Sequence, residues 1–154
     1  MSQVEARLAA AGHTVPEATT PLAAYVPAVV TGRYVYTSGQ LPVVDGELLA
    51  TGKVGAEIDP EQAAELAARC ALNAIAAIKS VIGDLDKVVR VVKVVGFVAS
   101  DPEFAGQPVV MNGASNLLLE AFGEAGRHAR SAVGVAVLPR NAPVEVEVIV
   151  EVAD

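Results

Sequence analysis

Near the C-terminus Val144, Val146, Val148, Val150 and Val152 alternate with Glu145, Glu147, Ile149 and Glu151. This period of two predicts a β-strand with one wholly aliphatic face and one largely acidic face, and it fixes the register. Upstream, Lys87 to Ala99 (KVVRVVKVVGFVA) is dominated by valine and almost continuously apolar, as a central strand buried on both sides would be. Val26 to Ser38 contains two β-rich runs broken by Thr31-Gly32, and Asp45-Gly46 is a second turn signal, so a hairpin and a meander are expected. Ser131 to Leu138 reads as a further strand.

Helices are marked by a different period. Asp59 and Pro60 open one as cap and first helical residue, and Gly83 stops it. Between them Leu66, Cys70, Ala74, Ile75, Ile78, Val81 and Ile82 share an apolar face, whereas Gln62, Glu65, Arg69, Asn73 and Lys79 share the other, with Glu65 and Arg69 ordered for an i,i+4 pair. A second helix runs from about Pro108 to Gly123. At the N-terminus Ser2 and Glu5 have capping-box spacing, Val4 and Leu8 share a face and Gly12 can end a short helix, followed by a Pro-containing stretch from Thr14 to Pro21 that reads as a linker or a strand lying across the surface. The order of elements predicts an α+β fold with both helices on one face of a mixed sheet. Residues 1–20 read as an N-terminal helical arm and linker, and residues 21–154 as one domain.

Composition adds a constraint on burial. Of 154 residues, 53% are hydrophobic, and mean hydropathy is +0.45. No run reaches the roughly 18 apolar residues of a membrane helix, so the surplus points to a sheet covered on both faces together with a subunit interface. A net charge of −7, three Tyr, three Phe and no Trp argue against a nucleic-acid partner. The single cysteine excludes an intrachain disulfide and a thiolate metal cluster, and the polar start MSQVEARLAAAG is unlike a signal peptide, so a cytoplasmic location is expected.

The common catalytic strings are missing: no P-loop, no G-x-G-x-x-G after a strand, no G-x-S-x-G and no H-E-x-x-H. His13 and His128 lack partners at ligand spacing, so no metal is expected and both read as surface or loop residues. Cys70 falls on an apolar helix face, where a free cysteine acts as a small hydrophobe. Read plainly, the glutamates of the last strand are a solvated sheet face, and Arg130 beside Arg127 and His128 is a basic loop.

Several separated motifs give these residues a second reading. Ala129-Arg130-Ser131, an aliphatic strand, Leu138-Pro139 and then Val144-Glu145-Val146-Glu147 resemble the C-terminal signature of the reactive-intermediate deaminase family, also called YjgF-like proteins. Ser38-Gly39-Gln40-Leu41-Pro42 is similar to that family's S-G-Q-[IL]-P strand end, and Tyr25 precedes Ser38 by 13 residues (38 − 25), like the family's tyrosine. The resemblance runs from about Tyr25 to Val152. It implies a chorismate-mutase-like fold assembling as a homotrimer with sites at subunit interfaces, and no cofactor. It further implies that Arg130 binds the carboxylate of a small anionic imino acid or 2-keto acid and that Glu145 activates water. Tyr25, Ser38, Gly39 and Asn112 would line the pocket, with Asn116 a competing match for Asn112.

The implied activity is hydrolysis of 2-aminoacrylate-like imines and enamines to 2-keto acids and ammonia. A non-catalytic 2-keto acid binder of the same fold is the alternative. Departures from the family pattern, Ala132 for a cysteine and Gly134 for a glutamate, together with the N-terminal arm, suggest a distinct subgroup. If the last two strands formed a hairpin turning near Asn141, Arg130 and Glu145 would lie about 24 Å apart along the ladder. Either the strands are not hairpin partners or a neighbouring subunit completes the site, and the family's interface sites favour the second.

Overall fold

The structure, a computed structural model, describes residues 1–21 and 23–154. A helix α1 (Gln3–Ala10) is followed by the hairpin β1 (Ala28–Thr31) and β2 (Tyr34–Thr37), then the short hairpin β3 (Val43–Val44) and β4 (Glu47–Leu48). The long helix α2 (Pro60–Ile82), strand β5 (Val88–Ala99), helix α3 (Gln107–Phe122), β6 (Ala129–Val135) and β7 (Val144–Val152) complete it. One five-stranded sheet has the order β1-β2-β7-β5-β6. Its β5/β6 pair is parallel and the others antiparallel, so the sheet is mixed. The predicted α+β class agrees with this architecture.

Local chemistry accounts for the elements. Asp59 caps α2 by accepting from the Gln62 N–H at 2.8 Å, and Pro60 occupies the first helical position. The five valines of β7 are all buried, and they meet the packed faces of α2 and α3 in one core cluster. Asp45 and Gly46, at φ 52° and 80°, supply the left-handed pair that closes the β3–β4 hairpin.

Only one face of the sheet is covered by helices; within one chain the expected cover on both faces is not provided. The open face carries Val29, Tyr34, Tyr36 and Val133, each between 42% and 51% exposed, around the half-buried Phe97 and Ile149. Cross-strand pairing places them on that side, since Tyr36 faces Val29 and Ile149 while Val133 and Glu145 face Phe97.

Three local expectations change. Strand β6 begins at Ala129 and ends at Val135, before the expected Leu138, because Pro139–Asn141 form a turn of 3₁₀ helix. Arg69 does not pair with Glu65; its Nε donates to the Val43 carbonyl at 3.0 Å. Asn73, assigned to the polar side of α2, is 2% exposed, and its Nδ2 donates to the carbonyls of Leu41 and Val43 at 3.0 and 3.1 Å. The β2–β3 connection folds over α2 at this point, and Asn73 adds a second donor to each carbonyl, beside the Val43 N–H on Leu41 and the Arg69 Nε on Val43. Asn73→Leu is therefore expected to cost about 1–3 kcal/mol by removing two buried hydrogen bonds, read as a lower midpoint in thermal unfolding.

The N-terminal helix is docked on the core. Ser2 forms a complete capping box with Glu5, and Asp86 accepts from the N–H groups of Gln3 and Val4 at 2.9 and 3.2 Å. Val4 and Leu8 are buried in the main cluster. Lys79 of α2 pairs with Glu5 at 2.7 Å and, through that bond, holds the Glu5 carboxyl below its usual range.

Candidate active site in two halves

Arg130 lies on β6, the edge of the sheet, opposite the fully buried Val94 of β5. Residues directly opposite share a face, so the arginine points to the helix side. There its Nη1 donates to Asn112 Oδ1 at 3.0 Å and to Ser115 Oγ at 3.2 Å, and its Nη2 donates to the Pro108 carbonyl at 3.3 Å. All three acceptors come from α3. A guanidinium has five N–H donors, so Nε and one Nη2 hydrogen remain without an acceptor among the described residues. Nε and Nη2 can present parallel donors along one edge, the geometry that matches a carboxylate. Of the two candidate asparagines, both exposed, the one that accepts from Arg130 is Asn112.

Ser115 and His128, neither anticipated as part of a site, complete this half. His128 is half-buried, not a free loop residue: Nε2 lies 2.8 Å from Ser115 Oγ and Nδ1 lies 2.6 Å from the Gly126 carbonyl. Two sequence signals pointed here. Asn112 and Ser115 are three apart on a helix, and His128 and Arg130 are two apart at the start of a strand; each spacing puts both residues on one face.

The second half forms around Glu145. Its β7 neighbours Val144 and Val146 are buried beneath the helices, so Glu145 emerges on the open face, half-buried. Burial, and next the Glu147 carboxylate, raise its pKa from the model-compound value of 4.5. The strand end after β2 is tied to it, because Gln40 and Val146 exchange backbone hydrogen bonds of 2.8 and 3.0 Å. That tie presses Gly39 onto the carboxylate: a Cβ at position 39 would lie 1.9 Å from Glu145 Oε2. A side chain at this position would displace the carboxylate. Beside it the Ser38 hydroxyl donates to the Val26 carbonyl at 2.5 Å, and Tyr25 is 56% exposed. Cys70 lies beneath, fully buried, and desolvation first and Glu145 second push its thiol pKa well up, which fits a packing role.

Residues 5–152 match the family described as "YjgF/chorismate mutase-like, putative endoribonuclease". The chain belongs to this family. Protein TCP17 of Trypanosoma cruzi is 45% identical over 97% of this chain and 94% of its own length. A crystal structure of an Agrobacterium tumefaciens protein of unknown function superposes with a TM-score of 0.90 at 48% identity, covering 97% of this chain and 91% of that one. The crystal structure of Escherichia coli TdcF with bound serine superposes at 0.59 with 28% identity, covering 90% and 94% respectively.

Within one YjgF-like chain the two halves do not meet. Strands β6 and β7 are not hairpin partners; both flank β5, with Arg130 level with Val94 and Glu145 level with Phe97. Three residues along the ladder and two strand spacings across give about 14 Å between their Cα atoms, instead of the 24 Å of a hairpin. They also project from opposite faces of the sheet. Of the expected site residues, Ser38, Gly39 and Glu145 are therefore gathered on the open side, with the exposed Tyr25 next in the chain to the Val26 that Ser38 binds, whereas Asn112 and Arg130 are gathered against α3. Among the described residues no group of three or more His, Cys, Asp or Glu side chains is placed to hold a metal ion. No described helix is long and apolar enough to cross a membrane.

Proposed function

We propose that the protein hydrolyses small anionic imines and enamines of the 2-aminoacrylate type to 2-keto acids and ammonia, at sites shared between subunits of a homotrimer. The observation that carries this reading is the Arg130 guanidinium, held by three acceptors with part of its donor set left over for a carboxylate. A half-buried carboxylate with a raised pKa, Glu145, supports the hydrolytic step.

In this scheme Arg130 holds the substrate carboxylate and Glu145 takes a proton from water as its oxygen attacks the imine carbon. The C=N π electrons move to nitrogen, which gains a proton. The carbinolamine's hydroxyl proton then passes to its amino nitrogen, the C–N bond breaks, and ammonia leaves with the carbonyl formed. No cofactor enters these steps. Tyr25 and the backbone at Ser38 and Gly39 border the water, and Asn112 borders the carboxylate.

The separation of the two halves is the reason for invoking assembly: Arg130 of one copy would work with Glu145 of another. The apolar patch of Val29, Tyr34, Tyr36 and Val133 on the open face gives such an assembly a surface to bury. A trimer at micromolar concentration is expected in sedimentation; a stable monomer would remove the basis for a shared site.

The activity is tested by ammonia release from imines generated in situ from several amino acids. A rate above buffer that depends on Arg130 is expected; no such rate with any of them ends the enzymatic reading. The same arginine would equally serve a 2-keto acid sensor, and TdcF crystallised with serine shows a family neighbour holding a small carboxylate-bearing molecule. Calorimetric binding of pyruvate or 2-ketobutyrate without turnover would favour the sensor. RNA cleavage, suggested by the family description, is opposed by the net charge of −7.

A further inference from the structure

We propose that His128 and Ser115 are positioning residues that set the orientation of Arg130, so that the anion selectivity of the site is fixed from the histidine ring. The inference rests on the reading of Arg130 as the carboxylate holder.

The direction of the hydrogen bonds follows from the one member that cannot change roles. The Gly126 carbonyl only accepts, so His128 Nδ1, 2.6 Å away, carries the proton. In the neutral ring Nε2 then offers a lone pair, and the Ser115 hydroxyl at 2.8 Å gives its single proton there. The lone pairs of Ser115 Oγ are left facing Arg130 Nη1 at 3.2 Å. The result is a one-way chain from Arg130 through Ser115 and His128 to Gly126, in which each bond polarises the next.

His128 also prevents a competing arrangement. A serine inside a helix can turn its hydroxyl back to the carbonyl four residues earlier, here that of Met111. Held by the imidazole, Ser115 stays turned outward and takes one Nη1 hydrogen while Asn112 takes the other. With both Nη1 donors engaged the guanidinium cannot swivel, and its remaining donors keep a fixed direction. The loop that delivers the Gly126 carbonyl can approach only because residue 126 lacks a side chain: a Cβ there would lie 2.5 Å from the Leu118 carbonyl oxygen.

A fixed pair of charged donors discriminates a two-oxygen anion from a neutral amide of the same skeleton. The test therefore compares pyruvate with pyruvamide by calorimetry in Ser115→Ala, His128→Leu and His128→Gln, with thermal unfolding as the check on folding. Ser115→Ala and His128→Leu are expected to bind pyruvate about five- to tenfold more weakly with pyruvamide unchanged, and to raise KM by the same factor with kcat held within about twofold. Glutamine at 128 places an acceptor near the former Nε2 and is expected to recover most of the loss.

Wild-type pyruvate affinity in both Ser115→Ala and His128→Leu would overturn the proposal. Equal weakening of both ligands would do the same, as would a glutamine variant no better than leucine. Should His128→Leu fail to fold, Ser115→Ala, which removes only a hydroxyl, still decides. Pyruvate binding that is indifferent to Arg130→Ala marks a different failure, that of the carboxylate reading itself, and takes this inference with it.

Discussion

Arg130→Ala is expected to lower kcat/KM for anionic imines about a hundredfold, almost entirely through KM. Two hydrogen bonds from a guanidinium edge to a carboxylate contribute about 1.5 kcal/mol or more each, and the loss of about 3 kcal/mol is a factor of roughly a hundred. The carboxylate adjoins the reacting carbon but takes no part in the bond changes, so it is held about equally in ground and transition states and kcat stays near its starting value. Arg130→Lys should recover little, because an ammonium is a point charge without the planar fork. Steady-state kinetics with a carboxylate-bearing imine and a neutral one checks this; equal losses on both would show that Arg130 does not read the carboxylate.

Glu145→Gln is expected to reduce kcat about 10²- to 10⁴-fold, the range for removing a general base, while keeping shape and volume. The raised pKa of Glu145 sets the sign of the pH dependence. The base works when ionised, so the rate should fall as pH drops through a value above 4.5. Stability runs the other way. A carboxyl whose folded pKa is raised contributes fully below its unfolded pKa, and that contribution is lost as pH rises through the folded value. At neutral pH the ionised Glu145, partly desolvated and facing Glu147, opposes folding. The inactive Glu145→Gln protein should therefore melt higher than the parent near pH 7, with the difference closing toward pH 4. A variant that loses activity and melts lower at pH 7 would contradict this account. Such a cost is common where a functional group is kept in a position that packing alone would not choose.

Asn73 shows where local pattern stops being informative. Its place on the helical wheel is polar, and periodicity expects a polar residue there to face water. The β2–β3 connection crosses α2 at that point and covers it, and the side chain donates to the Leu41 and Val43 carbonyls, so the same residue is buried. Ser115 and His128 follow a similar logic. Each is unremarkable alone, and only the docking of α3 on β6 converts them into one hydrogen-bonded chain with Arg130.

The sequence by itself determined the elements and their faces. Valine alternation made β7 a two-faced strand with Glu145 opposite its aliphatic side, caps and stop residues bounded α2, and separated motifs marked Arg130 and Glu145 through a family resemblance that residues 5–152 bear out. These features are legible because propensity, capping and periodicity act within a few residues of one another. Strand partners are chosen by burial across the whole chain, and only the tertiary structure decided that β6 pairs parallel to β5 instead of folding back on β7. That choice puts Arg130 and Glu145 on opposite faces of one sheet, because facing direction is inherited from the partner strand and no short stretch of sequence records which strand that will be.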